Sequence, residues 1–177
     1  FYLEGRDSYH EKMLRMVQKI IYEDISSFYK LKTENLHYFN RIMSYLATIP
    51  PSEINRNSIA KNSGLDNKTV QNYLTIMHET GLIELISNNK SGSNLLKPTE
   101  KIYLDNPNIY SAIAKEIGHA PKTGTIRELF FINMLVNSGH SLFVSKVGDF
   151  EVDGVIFEVG GQNKTKKQIK DNLKNSY

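Results

Sequence analysis

Cysteine and tryptophan are both absent from the 177-residue sequence. Without cysteine there is no disulfide framework, no thiolate metal site and no cysteine nucleophile, and such a composition suits the reducing cytoplasm. The sequence also lacks an apolar run near the roughly 18 residues that a membrane-spanning helix needs, and its start shows no secretory signal. Since 40% of the residues are apolar and 23% are charged, we predict a soluble, cytoplasmic globular protein with no membrane partner.

A broad excess of basic residues is missing as well. The net charge of the chain is +3, but five lysines and one aspartate give the segment from Gln162 to Tyr177 a charge of +4, which leaves −1 for the remaining residues. Proteins that bind nucleic acid without sequence preference gain most of their affinity from phosphate contacts with lysine and arginine. The composition by itself therefore gives only weak support for a nucleic-acid partner.

Residues 1–32 carry a single apolar stripe. Its members recur at steps of three and four, which predicts an amphipathic leading helix from Ser8 to Tyr29, and Ser8 with Glu11 matches a capping box at its start. The stripe consists of Met13, Met16, Val17, Ile20, Ile21, Ile25 and Phe28. It packs either on the rest of this chain or on a preceding module. Because the chain begins with Phe1 rather than Met, we expect it to be part of a longer protein.

Residues 33–97 have the pattern of three helices followed by a strand pair. The first helix ends before Pro50 and Pro51, Gly64 follows a short second helix, and Asp66 precedes the third. Residues 82–86 and 95–97 flank a turn-rich segment and predict a β-hairpin. This order predicts a winged helix-turn-helix domain. The apolar positions that define the three helices are Leu36, Phe39, Ile42, Met43, Leu46, Ile59, Ala60, Val70, Tyr73, Leu74 and Met77.

The third helix of this domain has a polar outward face. Lys68, Gln71, Asn72 and Thr75 can hydrogen-bond base edges or phosphates if the helix enters a major groove, and Lys90 adds a cation from the predicted wing. These five are the candidate DNA-binding residues. The alternative is a solvated helix face on a domain that is used for protein contacts.

Residues 98–177 predict a small α/β domain. Apolar and turn patterns divide it into short strands and helices, with a hairpin turn at Gly148–Asp149 and a capping box formed by Thr125 and Glu128. The predicted elements are strands at 101–105, 141–147 and 150–159, and helices at 108–117, 125–136 and about 163–174. The strand at 150–159 is apolar enough to be buried on both faces of a sheet.

Several motifs, in their order along the chain, give it a family resemblance. After the helix–turn–helix pattern of residues 58–83 come KIYLD at 101–105, GTIRE at 124–128, GDFEVDG at 148–154 and FEVGGQNK at 157–164. With these motifs the chain resembles the C-terminal region of predicted AAA+ superfamily ATPases of bacteria and archaea, in which an ATP-binding module precedes a domain of unknown function. The resemblance implies a restriction-endonuclease-like fold for residues 98–177, incomplete at its end. It also implies an N-terminal ATPase module as partner, with ATP and Mg²⁺ in the full-length protein.

The last domain contains the residue types of a metal-dependent nuclease. Such an enzyme needs carboxylates to hold Mg²⁺ and a lysine to orient the attacking water. Glu128, Asp153 and Glu158 are the candidate catalytic acids, and Asp153 and Glu158 are the candidate metal ligands. In nucleases similar to this fold a lysine follows the second strand acid by two residues, but that position is Gly160 here. Lys164 is the remaining candidate for the lysine's role, so we predict a degenerate site.

The sequence therefore predicts a C-terminal module whose winged helix binds duplex DNA or a protein partner. Because the expected lysine is missing from the acidic site, the module itself is not expected to be an enzyme or to need a cofactor. It contains no P-loop sequence, so any ATPase activity is expected to belong to the N-terminal module. The full-length protein is expected to be an ATPase. Two alternatives stay open: a Mg²⁺-dependent nuclease that uses Glu128, Asp153, Glu158 and Lys164, and an interaction module that self-associates.

Overall fold

A computed structural model describes residues 5–51, 54–88 and 101–160 of the chain. Helices make up most of the described residues, and two small antiparallel sheets complete the fold. The predicted α+β class is confirmed. The helices are α1 (Arg6–Lys19), α2 (Ser26–Tyr29), α3 (His37–Thr48), α4 (Arg56–Ser63), α5 (Asn67–Glu79), α6 (Pro107–Glu116) and α7 (Thr123–Asn137). The strands are β1 (Ile83–Ile86), β2 (Lys101–Leu104), β3 (Leu142–Val144), β4 (Phe150–Val152) and β5 (Val155–Phe157).

The leading segment is helical from Arg6 to Tyr29, with a π-helical stretch at Ile20–Ile25 between α1 and α2. Val17, Ile21 and Ile25 are buried, and α1 packs against α6, so the apolar stripe faces the rest of this chain.

Two details of the prediction for this segment are wrong. Met16 and Phe28 are exposed rather than part of the buried stripe. Phe28 follows the π-helical turn, whose wider winding rotates the side chains after it away from an ideal α-helical face, whereas Met16 precedes that turn and lies at the edge of the stripe. The predicted capping box is also absent, because α1 begins after Gly5 and Ser8 lies inside the helix.

Helices α3, α4 and α5 pack together as their apolar spacing predicts. All the apolar positions named for them are buried, and α5 adds Ile76 to this core. Gly64 makes the turn between α4 and α5 in the left-handed region, with φ of 76°. Asp66 then begins α5 by accepting hydrogen bonds from the backbone amides of Lys68 and Thr69. A short polar turn thus sets the angle between α4 and α5.

Strand β1 pairs with β2, in antiparallel register from Ile83↔Leu104 to Ile86↔Lys101. The strand predicted at 95–97 lies outside the described residues. The described partner of β1 is the strand that the sequence pattern assigned to the following domain, so this pairing runs across the predicted boundary between residues 97 and 98. The residues buried on β2 are Ile102, Tyr103 and Leu104.

The last sheet has the order β3-β4-β5, with antiparallel neighbours. The prediction of a single strand at 150–159 is wrong, because Asp153 and Gly154 form a two-residue turn between β4 and β5. Their φ angles are 50° and 79°, and Asp-Gly is a strong signal for a hairpin turn in which both central residues have positive φ.

The predicted capping box at Thr125 is also absent, since α7 begins after Lys122. The core of these elements is continuous with that of α3–α5 through Tyr103, Leu129 and Phe150.

Candidate nucleic-acid interface

The outward face of α5 carries the exposed polar side chains that the sequence predicts. Lys68, Asn72 and Thr75 are exposed, and Gln71 is half-buried. They lie opposite the buried positions of the same helix, which include Val70, Leu74 and Met77. The fold therefore presents this polar face to solvent.

The start of this face carries a fixed negative charge. Asp66 accepts hydrogen bonds from the Thr69 hydroxyl at 2.6 Å and from the Thr69 amide at 3.0 Å. The Thr69 hydroxyl, followed by the Thr69 amide, lowers the pKa of the Asp66 carboxyl below its usual value. The ionised carboxylate suits the positive end of the helix dipole.

Arg56 is a cation at this face that the sequence pattern does not reveal. Its guanidinium donates a hydrogen bond to the side-chain oxygen of Gln71. The Gln71 amide nitrogen in turn donates to the Thr75 hydroxyl at 3.4 Å. Arg56 begins α4, and only the packing of α4 against α5 brings it beside Gln71. Gln71 is thus already engaged within the protein, while Arg56 joins Lys68 as a second positive charge.

Two of the predicted site residues, Lys90 and Lys164, lie outside the described residues. The polar residues predicted on α5 and the three predicted acids all lie within the described residues.

Glu128 lies on α7 and accepts a hydrogen bond from the phenol of Tyr103 at 3.1 Å. Tyr103 on β2 is only 1% exposed. Burial, followed by the negative charge of Glu128, raises the pKa of the Tyr103 phenol well above its usual range. The phenol therefore stays protonated and remains a hydrogen-bond donor to Glu128.

Asp153 and Glu158 lie at opposite ends of the β4–β5 hairpin. Asp153 is at the exposed tip, where its carboxylate lies 2.9 Å from Nδ1 of His140. Glu158 follows β5 at the open end, beside Asp149, whose carboxylate accepts a hydrogen bond from the Val159 amide at 2.9 Å. From the turn residue Gly154 to Glu158 the chain advances four residues along β5, which at about 3.3 Å per residue is roughly 13 Å along the hairpin.

The structure therefore does not bring Asp153 and Glu158 together as a pair of metal ligands. Carboxylate oxygens bind Mg²⁺ at roughly 2.0–2.1 Å, so two ligands of one ion must converge, whereas these two acids lie at opposite ends of the hairpin and Asp153 contacts His140. Within the described ranges, no group of three or more His, Asp or Glu side chains is arranged to hold a metal ion.

A polar contact links the leading segment to the end of α5. The Tyr29 hydroxyl donates a hydrogen bond to a Glu79 carboxylate oxygen at 2.7 Å. This hydrogen bond is the main reason that the pKa of the Tyr29 phenol is raised. Tyr29 and Glu79 also line a shallow groove together with Ile20, Asp24 and Phe28. The C-terminal end of the polar helix thus contacts the segment that begins the chain.

Comparison with known proteins places most of the chain in one family. Residues 3–120 match the model of a domain of unknown function, DUF8612. This match includes the leading helix, α3–α5, the β1–β2 pair and α6. No curated protein and no solved structure matches the chain. In the part of the chain that the structure describes, no helix has the length and apolar character needed to cross a membrane.

Proposed function

Since the chain belongs to DUF8612, a family of domains of unknown function, we propose its function from its own geometry: a winged helix-turn-helix module that binds duplex DNA through α5. The observation that carries the proposal is the exposed polar face of α5, where Lys68, Asn72 and Thr75 are joined by Arg56 from α4. Asparagine pairs well with adenine in the major groove, and the two cations suit phosphates or guanine.

The order of the elements supports this proposal. Two helices joined by a tight turn, α4 and α5, are preceded by α3 and followed by the antiparallel pair β1–β2. This is the order in which a winged helix places its recognition helix and its wing. In the proposal α5 enters the major groove.

We place this module at the C-terminal end of a cytoplasmic AAA+ ATPase. The support for this part is the sequence resemblance together with the contact between Tyr29 and Glu79, which connects the leading segment with the end of α5. In the proposal that segment transmits the state of the ATPase to the DNA-binding helix. The elements after α6 are a degenerate nuclease-like domain that does not cut DNA, and the wide separation of Asp153 and Glu158 supports this assignment.

Binding of a fluorescent duplex tests the proposal. At about 50 mM salt, where electrostatic affinity is strong, we expect the protein to raise the fluorescence anisotropy of the duplex. The double variant Arg56→Ala/Lys68→Ala should bind at least tenfold more weakly. In a plot of the logarithm of the affinity against the logarithm of the salt concentration, its slope should be shallower by about one unit for each phosphate contact that is lost. Asn72→Ala should weaken binding to the preferred duplex and leave binding to other duplexes nearly unchanged, so the preference among sequences should fall.

The matched control is the double variant Lys19→Ala/Lys32→Ala, which removes the same charge from exposed positions of the leading segment. If charge alone governed binding, the two double variants would bind equally weakly. That result, or no binding by the unmodified protein at low salt, would contradict DNA recognition by α5. A protein partner would then be the better hypothesis for this face.

A further inference from the structure

A cavity lies between α3 and α4, on residues that do not belong to the outward face of α5. Its volume is about 430 Å³, which is in the range of pockets that hold small molecules. The lining includes Asn40, Arg41, Ser44 and Tyr45 from α3, and Ile59 and Asn62 from α4. The cavity also contains none of the three acids discussed above, so it is a separate site.

The polar wall of this cavity is one face of α3. Arg41, Ser44 and Tyr45 are three and four residues apart, and residues with that spacing are neighbours on a helix surface. Each of these three side chains can donate a hydrogen bond. The spacing along a single helix therefore gathers three donors at one wall of the cavity.

Contacts with neighbouring residues position two of these donors. The Arg41 guanidinium carbon lies 5.7 Å from the centre of the Tyr38 ring, and Nη2 of Arg41 donates to the Asn62 carbonyl at 3.5 Å. The Asn62 side-chain amide donates to the Ser58 carbonyl at 2.7 Å and to the Tyr45 hydroxyl at 3.5 Å. The Tyr45 hydroxyl accepts this hydrogen bond and keeps its own proton to donate. A guanidinium has five N–H donors, so Arg41 still has donors for a ligand.

The charge of the cavity lining favours an anion. Arg41 is the only charged side chain among the described lining residues, and within the part of the chain that the structure describes it forms no ion pair. The planar fork of a guanidinium matches the two oxygens of a carboxylate. The floor beside Arg41 is apolar, because Ile42 and Ile59 are buried there.

We propose that this cavity binds a small carboxylate with an apolar body. The Arg41 guanidinium holds the two carboxylate oxygens, the hydroxyls of Ser44 and Tyr45 donate to the same group, and the apolar body lies against Ile42 and Ile59. A phosphate monoester fits less well, since its charge is nearly −2 at neutral pH and the described lining provides one cation. The proposal uses different residues from the DNA-binding proposal, so either can fail without the other.

Benzoate and benzamide are a matched pair of probes for this cavity, because they have nearly the same shape and only benzoate is charged. Two-dimensional NMR of the whole isotope-labelled chain follows the titration. Benzoate should shift the backbone amide signals of α3 and α4 around the cavity, with a dissociation constant of about 1 mM or below for a ligand of this size. Benzamide should bind at least about tenfold more weakly, since it lacks the charge that strengthens the hydrogen bonds to Arg41.

Variants separate a specific site from general charge attraction. Arg41→Gln should weaken benzoate binding at least about tenfold. Arg41→Lys should recover part of the affinity, because lysine keeps the charge and loses the paired donors. Ser44→Ala should weaken binding about threefold, as expected for the loss of one neutral donor. The matched control is Arg127→Gln, which removes an exposed arginine of α7 and should leave benzoate binding unaltered.

Any of three outcomes would overturn the proposal: benzoate causes no shifts at α3 and α4, benzoate and benzamide bind equally, or Arg41→Gln and Arg127→Gln weaken binding equally. Loss of duplex binding in Arg41→Gln, without binding of benzoate to the unmodified chain, would assign Arg41 to the DNA interface instead. The Arg41 side chain is exposed, so we expect its variants to fold, and their NMR spectra check this directly.

Discussion

At the scale of single residues, Phe150 packs in the core against aromatic side chains of two other elements. Its side chain is fully buried. Its ring lies 5.6 Å from that of Phe131 in a stacked arrangement and 6.0 Å from that of Tyr103. The Lys101 ammonium lies 5.3 Å from the ring centre. One side chain on β4 thus contacts residues of α7 and β2.

Phe150→Ala should lower the free energy of unfolding by about 3–5 kcal/mol, since the change removes a large buried side chain and leaves a cavity. Urea unfolding followed by circular dichroism measures the effect. Phe130→Ala is the matched control, because that ring is 58% exposed on α7 and its removal should change stability by less than about 1 kcal/mol. Similar losses in the two variants would contradict the central role of Phe150.

At the scale of elements, the turn between α4 and α5 sets the direction of the polar helix. Gly64 has φ of 76° and donates its amide to the Ala60 carbonyl at 3.0 Å. A residue with a side chain is strained in this region, whereas glycine is not. The geometry of the α5 face therefore depends on a glycine that lies outside that face.

Gly64→Ala should destabilise the protein by about 1–2 kcal/mol, because the left-handed conformation costs that much for a residue with a Cβ. Gly124→Ala is the comparison, since Gly124 lies inside α7 and a Cβ there meets no atom within 4 Å. That change should be neutral or stabilising by up to about 1 kcal/mol. Thermal unfolding of both variants measures whether each substitution raises or lowers the melting temperature. A higher melting temperature for Gly64→Ala would contradict the left-handed conformation of the turn.

At the scale of the whole molecule, one core extends across the boundary that the sequence pattern suggests at residue 97. Strand β1 is paired with β2, and α1 and α3 both pack on α6. The buried residues of β2 and α6 thus lie against elements from the first half of the chain. The family match, which runs to residue 120, also includes both of these elements.

A fragment of residues 1–97 should not unfold cooperatively, because it lacks β2 and α6 and exposes the apolar surfaces that they cover. A fragment of residues 1–120 keeps both elements and should show a cooperative thermal transition, at a lower temperature than the whole chain because it lacks Leu129 and Phe150. Circular dichroism during heating compares the three proteins. Equal melting temperatures for the 1–97 fragment and the whole chain would contradict a shared core.

Much of the helical structure could be predicted because its signals are local. The apolar spacing of α3 and α5 matches the buried side chains, and Asp66 begins α5 as its residue type suggests. The sequence pattern also predicts the strand at Lys101–Leu104, but it does not predict the pairing of this strand with β1, since strand partners are set by contacts between distant residues. The turn at Asp153–Gly154 has a local signal, but the apolar residues on both sides of it favour the prediction of one buried strand.

The sequence by itself determined which residues of α3, α4 and α5 face inward and which polar side chains α5 presents to solvent, because helical periodicity acts over a few neighbouring residues. Only the tertiary structure decided which polar side chains from different elements lie close together. The approach of Arg56 to Gln71, the contact between Tyr29 and Glu79, and the separation of Asp153 from Glu158 all depend on how elements pack or pair. Packing joins positions far apart in the chain, and no local pattern specifies those distances.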